Sequence, residues 1–146
     1  MNTTQQILPA VAAAIFNERG EILLQKRKDV QQWALISGHV EFGETVENAL
    51  LREIQEETNT GASIVRCIGI YSSPASQTYH YKNKTVQYIT SYFEARLNGS
   101  IPAGYCNNET EALHFFAPTR LPANLAPMHP AWLSDALATD KAAFIR

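Results

Sequence analysis

Three glutamates in the middle of the chain, Glu53, Glu56 and Glu57, have the spacing of neighbours on one helix face. On a helix, residues at these separations fall within an arc of about 100°. Like charges so spaced cost about 0.2 to 0.5 kcal/mol per pair, and the negative end of the helix dipole adds to that cost. Carboxylates gathered in this way offer hard oxygen ligands, which suit Mg²⁺ or Mn²⁺ better than Zn²⁺. The alternative is a surface helix whose glutamates are only solvated.

The helix that would carry these glutamates is predicted to run from Val46 to about Thr58. Thr45 is a favourable N-cap, and Glu47 lies in the first turn, where a carboxylate interacts well with the helix dipole. Asn59 follows the helix at a position where the chain commonly turns left-handed, and asparagine is the best substitute for glycine there. Apolar residues on the adjacent arc predict that one side of this helix packs on a core.

The remaining sequence predicts several strands, the loops between them and a last helix. We expect a hairpin in AVAAAIFNERGEILLQKR with its turn at Asn17–Gly20, a short strand WALI (33–36) followed by a loop SGHVEFGE, paired strands in ASIVRCIGIYSS and TVQYITSYFEARL across the YHYKNK loop, a strand in EALHFFAP, and a helix from about Ala131 to Ala143. Mixed strands with a central and a terminal helix predict an α/β fold whose sheet is covered on both faces.

Length and composition favour one globular domain covering residues 1–146, since 45% of the residues are apolar. A net charge of −2 disfavours a protein that binds nucleic acid or a membrane surface through a broad basic patch. The sequence shows neither a leader nor an apolar run long enough to span a bilayer, so we expect a cytoplasmic protein. The two cysteines, Cys67 and Cys106, are expected to be reduced thiols, with Cys67 in a buried strand.

The run GHVEFGETVENALLREIQEETNT, residues 38–60, resembles the Nudix box, G-x5-E-x7-R-E-U-x-E-E-x-G-U, in which U is a bulky apolar residue. The matching residues are Gly38, Glu44, Arg52, Glu53, Ile54, Glu56 and Glu57. Two pairs depart from the usual pattern: Ile36 and Ser37 replace a proline and a glycine, and Asn59 and Thr60 replace the final Gly-U pair. The segments LLQKR, VQYITSYFEA, ETEALHFF and LPANLAP also resemble parts of Nudix hydrolases.

This resemblance implies an α/β/α sandwich with a mixed central sheet and a divalent metal cofactor, Mg²⁺ or Mn²⁺. It implies that Glu53, Glu56 and Glu57 are metal ligands, with Glu53 a candidate base and Glu57 also catalytic. Arg52 would orient the glutamates, while Glu44 would support the junction between loop and helix. Gly38 would let the backbone approach the metal or the phosphate.

Outside the box, Glu109 matches a loop glutamate that related sequences often carry near the metals, and Glu111 is its neighbouring competitor. Arg27 is the candidate for a phosphate contact at the end of the second strand, and His39 is a candidate substrate contact. For Glu109, Arg27 and His39, the alternative is an exposed side chain that is only solvated. A further set of aromatic residues could stack on a nucleobase or belong to the core. These are Trp33, Tyr71, Tyr79, Tyr81 and Tyr88.

The function that the resemblance implies is hydrolysis of the diphosphate bond in a nucleoside diphosphate linked to another moiety, of the ADP-ribose or nucleotide-sugar type. A nucleoside triphosphate pyrophosphohydrolase is the second hypothesis, and a non-catalytic nucleotide-binding module is the third. The expected partner is a small-molecule nucleoside diphosphate derivative, with no nucleic acid or membrane involved. Related enzymes are commonly homodimers.

Overall fold

A computed structural model of the chain describes residues 4–138 and 142–146. Its elements follow in this order: β1 (Thr4–Ile15), β2 (Ile22–Arg27), β3 (Trp33–Ala34), β4 (Ile36–His39), α1 (Val46–Thr58), β5 (Ala62–Tyr71), α2 (Pro74–Gln77), β6 (Thr78–His80), β7 (Lys84–Leu97), β8 (Thr110–Phe116), α3 (Trp132–Leu137) and β9 (Phe144–Ile145). Among the described residues, no helix is long and apolar enough to cross a membrane.

The strands form a large mixed sheet and a smaller antiparallel one. The large sheet has the order β4-β1-β7-β5-β9, with β6 paired to β7 beside this path. Strands β1 and β7 run parallel over a continuous register from Thr4↔Lys84 to Ile15↔Ala95, while β5 and β7 pair antiparallel. The smaller sheet has the order β3-β2-β8. The expected mixed sheet is confirmed, and so is the pairing of β5 with β7.

Helices α1 and α3 pack against opposite faces of the large sheet. Side chains alternate between the two faces along a strand, so Val11 and Ala13 share one buried cluster with Leu50 of α1. Ala12 and Ala14 instead share a second cluster with Trp132 and Ala136 of α3. The fold is therefore the expected α/β/α sandwich.

The predicted hairpin between β1 and β2 is wrong, although both strands and the turn exist. Asn17 closes the turn, since its side-chain oxygen accepts hydrogen bonds from two backbone N–H groups. Beyond it, β1 and β2 share only the isolated bridge Phe16↔Ile22 and then enter different sheets. Both edges of β1 are already occupied, because β4 pairs on one side and β7 on the other.

The WALI segment does not form one strand followed by a loop. The chain changes sheets at Leu35: Trp33 and Ala34 pair with β2, and the next residues, through His39, pair with β1. Backbone pairing to β1 extends this strand over polar residues that the hydrophobic pattern had assigned to a loop. As a result, Gly38 and His39 belong to an edge strand of the large sheet.

Two further expectations need correction. Cys67 lies on β5 as predicted but is exposed, because partly buried and exposed residues alternate along β5 from Ala62 onwards and Cys67 falls on the exposed positions. The last helix ends at Leu137, where the next residue is extended. Residues 139–141 of the predicted helix lie outside the described residues, and the chain after them forms strand β9.

Candidate active site

Helix α1 has the predicted boundaries. The Thr45 hydroxyl accepts a hydrogen bond from the Asn48 N–H at 3.1 Å, which caps the N-terminus. Asn59 adopts φ 55° and ψ 32°, the left-handed conformation, and donates its N–H to the Gln55 carbonyl. These two ends, together with the buried Leu50 and Ile54, fix the rotation of the helix on the core.

The three glutamates of α1 form an acidic cluster, Glu53, Glu56 and Glu57. One carboxylate oxygen of each lies within 4.8 Å of one from each of the others. Glu53 and Glu57 are buried, with 9% and 3% of their surface exposed, while Glu56 faces solvent. The helix thus holds two carboxylates out of water and a third at the rim.

Arg52 binds the cluster to the preceding loop. Its Nε and Nη2 donate to the two carboxylate oxygens of Glu44, at 2.7 and 3.0 Å, in a bidentate pair. Its Nη1 lies 3.0 Å from an oxygen of Glu53 and 3.3 Å from an oxygen of Glu56. Within the described part of the chain, Arg52 supplies every ion pair to these glutamates, so negative charge remains in excess.

The pKa values of the two buried carboxyls are raised mainly by burial. Burial and, to a smaller extent, the charges of Glu56 and Glu57 raise the pKa of Glu53 to about 7, against the opposing effect of Arg52. Burial also raises the pKa of Glu57, and the hydroxyl of Thr110 opposes that rise. The hydrogen bond from Arg52 has the reverse effect on Glu44, whose pKa it lowers. Arg52 therefore stabilises the ionised form of Glu44, whereas the pKa of Glu53 stays raised despite its contact with Arg52.

Gly38 lies against Glu53 at the edge of the large sheet. A Cβ atom at residue 38 would overlap the Glu53 carboxyl group, so only glycine leaves room for this packing. Ile36, one of the departures from the usual pattern, is fully buried in the cluster beneath α1. Thr60, which stands at the final apolar position of the box, is also buried, and its hydroxyl donates a hydrogen bond to the Ser100 carbonyl at 3.1 Å.

A loop before β8 clamps the C-terminal end of α1. The carbonyl of Glu56 accepts hydrogen bonds from the Tyr105 hydroxyl at 2.8 Å and the Asn107 side-chain amide at 2.9 Å. Carbonyls in the last turn of a helix lack partners within it, so this loop satisfies one of them. The Asn107 side-chain oxygen in turn accepts the N–H groups of Glu109 and Thr110. The clamp fixes the loop beside the acidic cluster.

Thr110 connects the cluster to strands β8 and β2 of the smaller sheet. Its buried hydroxyl contacts the Glu57 carboxylate and lies 2.7 Å from the side-chain oxygen of Gln25 on β2. The Gln25 amide donates to the Leu35 carbonyl at 3.3 Å. Sequence reasoning missed Gln25, Asn107 and Thr110, because their places around the acidic cluster depend on strand placement and not on any spacing within the chain.

The predicted loop glutamates are placed differently. Glu109 is exposed and lies outside the acidic cluster, yet near enough that its charge raises the pKa of Glu57. Its carbonyl accepts the Lys28 N–H. Glu111 points elsewhere and pairs with Lys26 at 3.3 Å.

The predicted substrate contacts lie around this site. The Arg27 guanidinium makes a bidentate pair with Asp29, at 3.1 and 2.7 Å, and is exposed. The His39 ring stacks on Tyr88, and its carbonyl accepts Arg52 Nη2 at 3.0 Å. Of the aromatic candidates, Tyr71 is buried and Trp33 packs against the cluster beneath α3.

Comparisons with known proteins identify the family. Residues 7–137 match the NUDIX domain. A Bacillus subtilis (strain 168) protein provisionally named an 8-oxo-dGTP diphosphatase is 35% identical over 121 residues, 83% of this chain and 74% of that protein. An ADP-ribose pyrophosphatase of Methanocaldococcus jannaschii is 47% identical over 70 residues, 45% of this chain and 41% of that protein.

Solved structures agree with this match. A UDP-X diphosphatase superposes with a TM-score of 0.73 at 26% identity, covering 92% of this chain and 62% of the other. A NUDIX hydrolase from Nitrosomonas europaea superposes with a TM-score of 0.75 over 99% of this chain and 78% of the other; at 19% identity it shows the fold alone. The matched domain covers most of the chain and includes the acidic cluster, and this chain belongs to the NUDIX family.

Proposed function

We propose that the protein hydrolyses the diphosphate bond of a nucleoside diphosphate linked to another moiety, of the ADP-ribose or nucleotide-sugar type. Membership of the NUDIX family makes the chain a hydrolase acting on phosphorus anhydrides of small nucleotide derivatives. The observation that carries the proposal is the acidic cluster, in which three carboxylates meet within 4.8 Å beside Gly38.

The residues present fit a divalent cation. NUDIX hydrolases generally use one, and the cluster offers carboxylate oxygens only, which suit Mg²⁺ or Mn²⁺. Burial raises the pKa of Glu53 and Glu57 when no cation is present, so a bound cation would relieve an electrostatic cost already built into the site. We propose Glu53, Glu56 and Glu57 as the ligands and Mg²⁺ or Mn²⁺ as the cofactor.

A bound divalent ion would neutralise the oxygens of the diphosphate and lower the pKa of the attacking water. The chain's own residues then have distinct proposed roles. A carboxylate, for which Glu53 and Glu57 are the candidates, accepts the proton of the water as it attacks phosphorus. The bond to the bridging oxygen breaks, and two phosphorylated products leave. Arg52 holds Glu53 and Glu56 in place. Glu109 is a further candidate catalytic residue at the rim of the cluster.

Three residues predicted to contact the substrate join these roles. Arg27 would exchange its exposed pair with Asp29 for a phosphate, which is a comparable bidentate partner. Gly38 would let the backbone of β4 approach the phosphates beside the Glu53 carboxyl that packs against it, and His39 would border the bound substrate. We also propose a cytoplasmic homodimer, and sedimentation of the purified protein would test its oligomeric part.

A second candidate function is supported by the Bacillus relative, whose name denotes a diphosphatase acting on a nucleoside triphosphate. In that reaction the same cluster would release a nucleoside monophosphate and pyrophosphate. Both candidates use the same ligands, because the cluster serves the phosphates and not the groups attached to them. A module that only binds nucleotides is disfavoured by the intact set of box residues from Gly38 to Glu57.

Product analysis separates these candidates. The purified protein would be incubated with Mg²⁺ and a panel of ADP-ribose, nucleotide sugars, dinucleoside polyphosphates and nucleoside triphosphates, with EDTA as the control. Release of AMP and ribose 5-phosphate from ADP-ribose is the expected result. Pyrophosphate release from triphosphates alone would favour the second candidate, and the absence of any Mg²⁺-dependent product would contradict both.

A further inference from the structure

Four aromatic side chains form a connected group beside the acidic cluster, which we call the aromatic cluster: His39, Tyr79, Tyr81 and Tyr88. Tyr88 lies at its centre. Its ring stacks on His39 with centroids 5.3 Å apart and meets Tyr79 edge-on at 5.5 Å. Its hydroxyl lies 3.1 Å from His39 Nε2 and 3.0 Å from the Tyr81 hydroxyl.

The aromatic cluster belongs to neither buried core cluster. Tyr79 and Tyr81 are 39% and 47% exposed, and His39 is exposed as well. Tyr88 contacts each of the other three side chains, so the exposed members of the cluster are joined into one patch. A contiguous exposed patch of this kind marks an interaction site more often than it serves folding.

The chain connects the aromatic cluster directly to the active site. His39 follows Gly38, which lies against Glu53, and the His39 carbonyl accepts Arg52 Nη2. Tyr88 lies on the same face of β7 as Tyr92, the face that packs on α3. Gly38 faces α1, so the acidic and aromatic clusters lie on opposite faces of the edge strand β4 and meet at residues 38 and 39.

Arg27 lies within electrostatic reach of the aromatic cluster from the neighbouring sheet. Burial raises the pKa of Tyr79 and of Tyr88, and the positive charge of Arg27 opposes that rise in both. Lys84 adds a second cation, with its ammonium 5.7 Å from the centre of the Tyr81 ring. Exposed rings with two cations next to a diphosphate site match the chemistry of a nucleotide, in which a planar base is joined to an anionic chain.

We infer that the aromatic cluster binds the nucleobase of the substrate, with Tyr79 as the principal stacking surface. The inference rests on the proposed function and names the part of the substrate that the acidic cluster leaves unrecognised. Base stacking on an aromatic side chain tolerates different bases. The hydroxyl and imidazole groups of the cluster would supply hydrogen bonds to the base edge beyond those that they make with one another.

Binding and turnover of matched ligands test this inference. Calorimetry would measure the affinity for the four common nucleoside 5′-monophosphates and for ribose 5-phosphate, which has no base. The variants are Tyr79→Leu, which removes the ring, and Tyr79→Phe, which retains it. Ile7→Ala is the control, because Ile7 is an exposed apolar residue on the opposite face of the same sheet.

We expect Tyr79→Leu to weaken binding of the preferred monophosphate about tenfold, with affinity for ribose 5-phosphate unchanged. Tyr79→Phe and Ile7→Ala should match the wild type. For the nucleotide that the wild type hydrolyses best, Tyr79→Leu should raise KM by a similar factor while kcat changes little.

Equal losses for the monophosphate and ribose 5-phosphate, an unchanged monophosphate affinity, or monophosphate binding no tighter than that of ribose 5-phosphate would overturn the inference. The proposed function can fail separately. If no compound is hydrolysed but Tyr79→Leu still weakens monophosphate binding selectively, the nucleobase site stands and the hydrolase proposal falls. If hydrolysis occurs with a KM that Tyr79→Leu leaves unchanged, the hydrolase proposal stands and the nucleobase site falls.

Discussion

Two sites with buried carboxylates in this molecule have opposite electrostatics. Beneath the large sheet, Asp135 receives a bidentate pair from Arg146, at 2.9 and 2.7 Å, and a hydrogen bond from the Tyr71 hydroxyl. The hydrogen bonds from Arg146 lower its pKa. In the acidic cluster, burial raises the pKa of Glu53 and Glu57.

The difference follows from how the cations are allotted. Asp135 has an arginine of its own, and its pair joins α3 to the strand at the end of the chain. The acidic cluster shares Arg52 with Glu44, which takes the bidentate geometry. A buried charge that is fully paired needs no further partner. A buried group of like charges that shares one partner keeps an electrostatic cost, which a cation from solution would reduce. We therefore propose that the first arrangement contributes to stability and that the second binds a cation.

Replacing a carboxylate of the acidic cluster should produce the largest effect. We expect Glu57→Gln to lower kcat by about 10² to 10⁴-fold, since it removes either a cation ligand or the proton acceptor. The fold should persist, because glutamine keeps the shape of the side chain and relieves a buried charge. Steady-state kinetics and circular dichroism would measure the two effects, and a variant with full activity would refute the proposed role of Glu57.

Loss of the hydroxyl that contacts Glu57 should have the next largest effect. Thr110→Val removes a partner of a proposed cation ligand, and changes of this kind typically cost about 10- to 100-fold in metal affinity or activity. Thr110→Ser is the matched control, since it restores the hydroxyl. If Thr110→Val raises the Mg²⁺ concentration needed for half-maximal activity and Thr110→Ser does not, the hydroxyl positions Glu57. Equal behaviour of the two variants would show that it does not.

Replacing Asp135, the paired carboxylate, should lower stability and leave activity unchanged. Asp135→Asn weakens hydrogen bonds to a charged group, so we expect it to lower the free energy of unfolding by about 1 to 3 kcal/mol. Activity per folded molecule should stay at the wild-type level, because the Asp135 side chain bonds to Arg146 and Tyr71, which belong to neither the acidic cluster nor the aromatic cluster. Urea denaturation and kinetics at a temperature where the variant is folded would test both. A variant with normal stability and reduced turnover would erase the contrast between the two regions.

The smallest effect concerns the end of α1. Asn59 has a positive φ, so Asn59→Gly should be nearly neutral, while Asn59→Val should cost about 1 kcal/mol or more because a branched side chain resists that conformation. Urea melts of the two variants provide the measurement. Equal stabilities would show that the left-handed cap contributes nothing.

Local sequence patterns predicted α1 and its cluster because their information lies within one helix. The N-cap at Thr45, the left-handed Asn59 and the convergence of Glu53 with Glu57 all follow from spacing along a single element. Gly38 was identified by its place in the box, and the structure supplies the reason, which is the packing of Glu53 against its backbone.

Features that depend on strand pairing were not predictable in this way. A turn signal at Asn17 says where the chain reverses but not which strand will pair with it, so β1 and β2 were joined wrongly. Thr110 reaches Glu57 from a distant strand, and no spacing in the sequence records that contact. Tyr71 and Tyr79 looked equivalent in the sequence, and only the fold places the first in the core and the second on the surface.

We propose that the acidic cluster is a cation site whose charges are unsatisfied without the cation. In metal-free protein, the raised pKa of Glu53 means that stability present below its unfolded value of 4.5 is lost as pH rises towards about 7. A cation should restore that stability when Glu53 is ionised and should compete with a bound proton when it is not. The pH dependence of the stabilisation by Mg²⁺ therefore tests the claim.

The decisive measurement is the melting temperature with and without saturating Mg²⁺, at about pH 8 and at about pH 5.5. We expect Mg²⁺ to raise Tm by about 5 °C or more at the higher pH. The rise should be clearly smaller at the lower pH and absent in Glu53→Gln/Glu57→Gln at either pH. An equal rise in the double variant, or no rise in the wild type at the higher pH, would contradict the account.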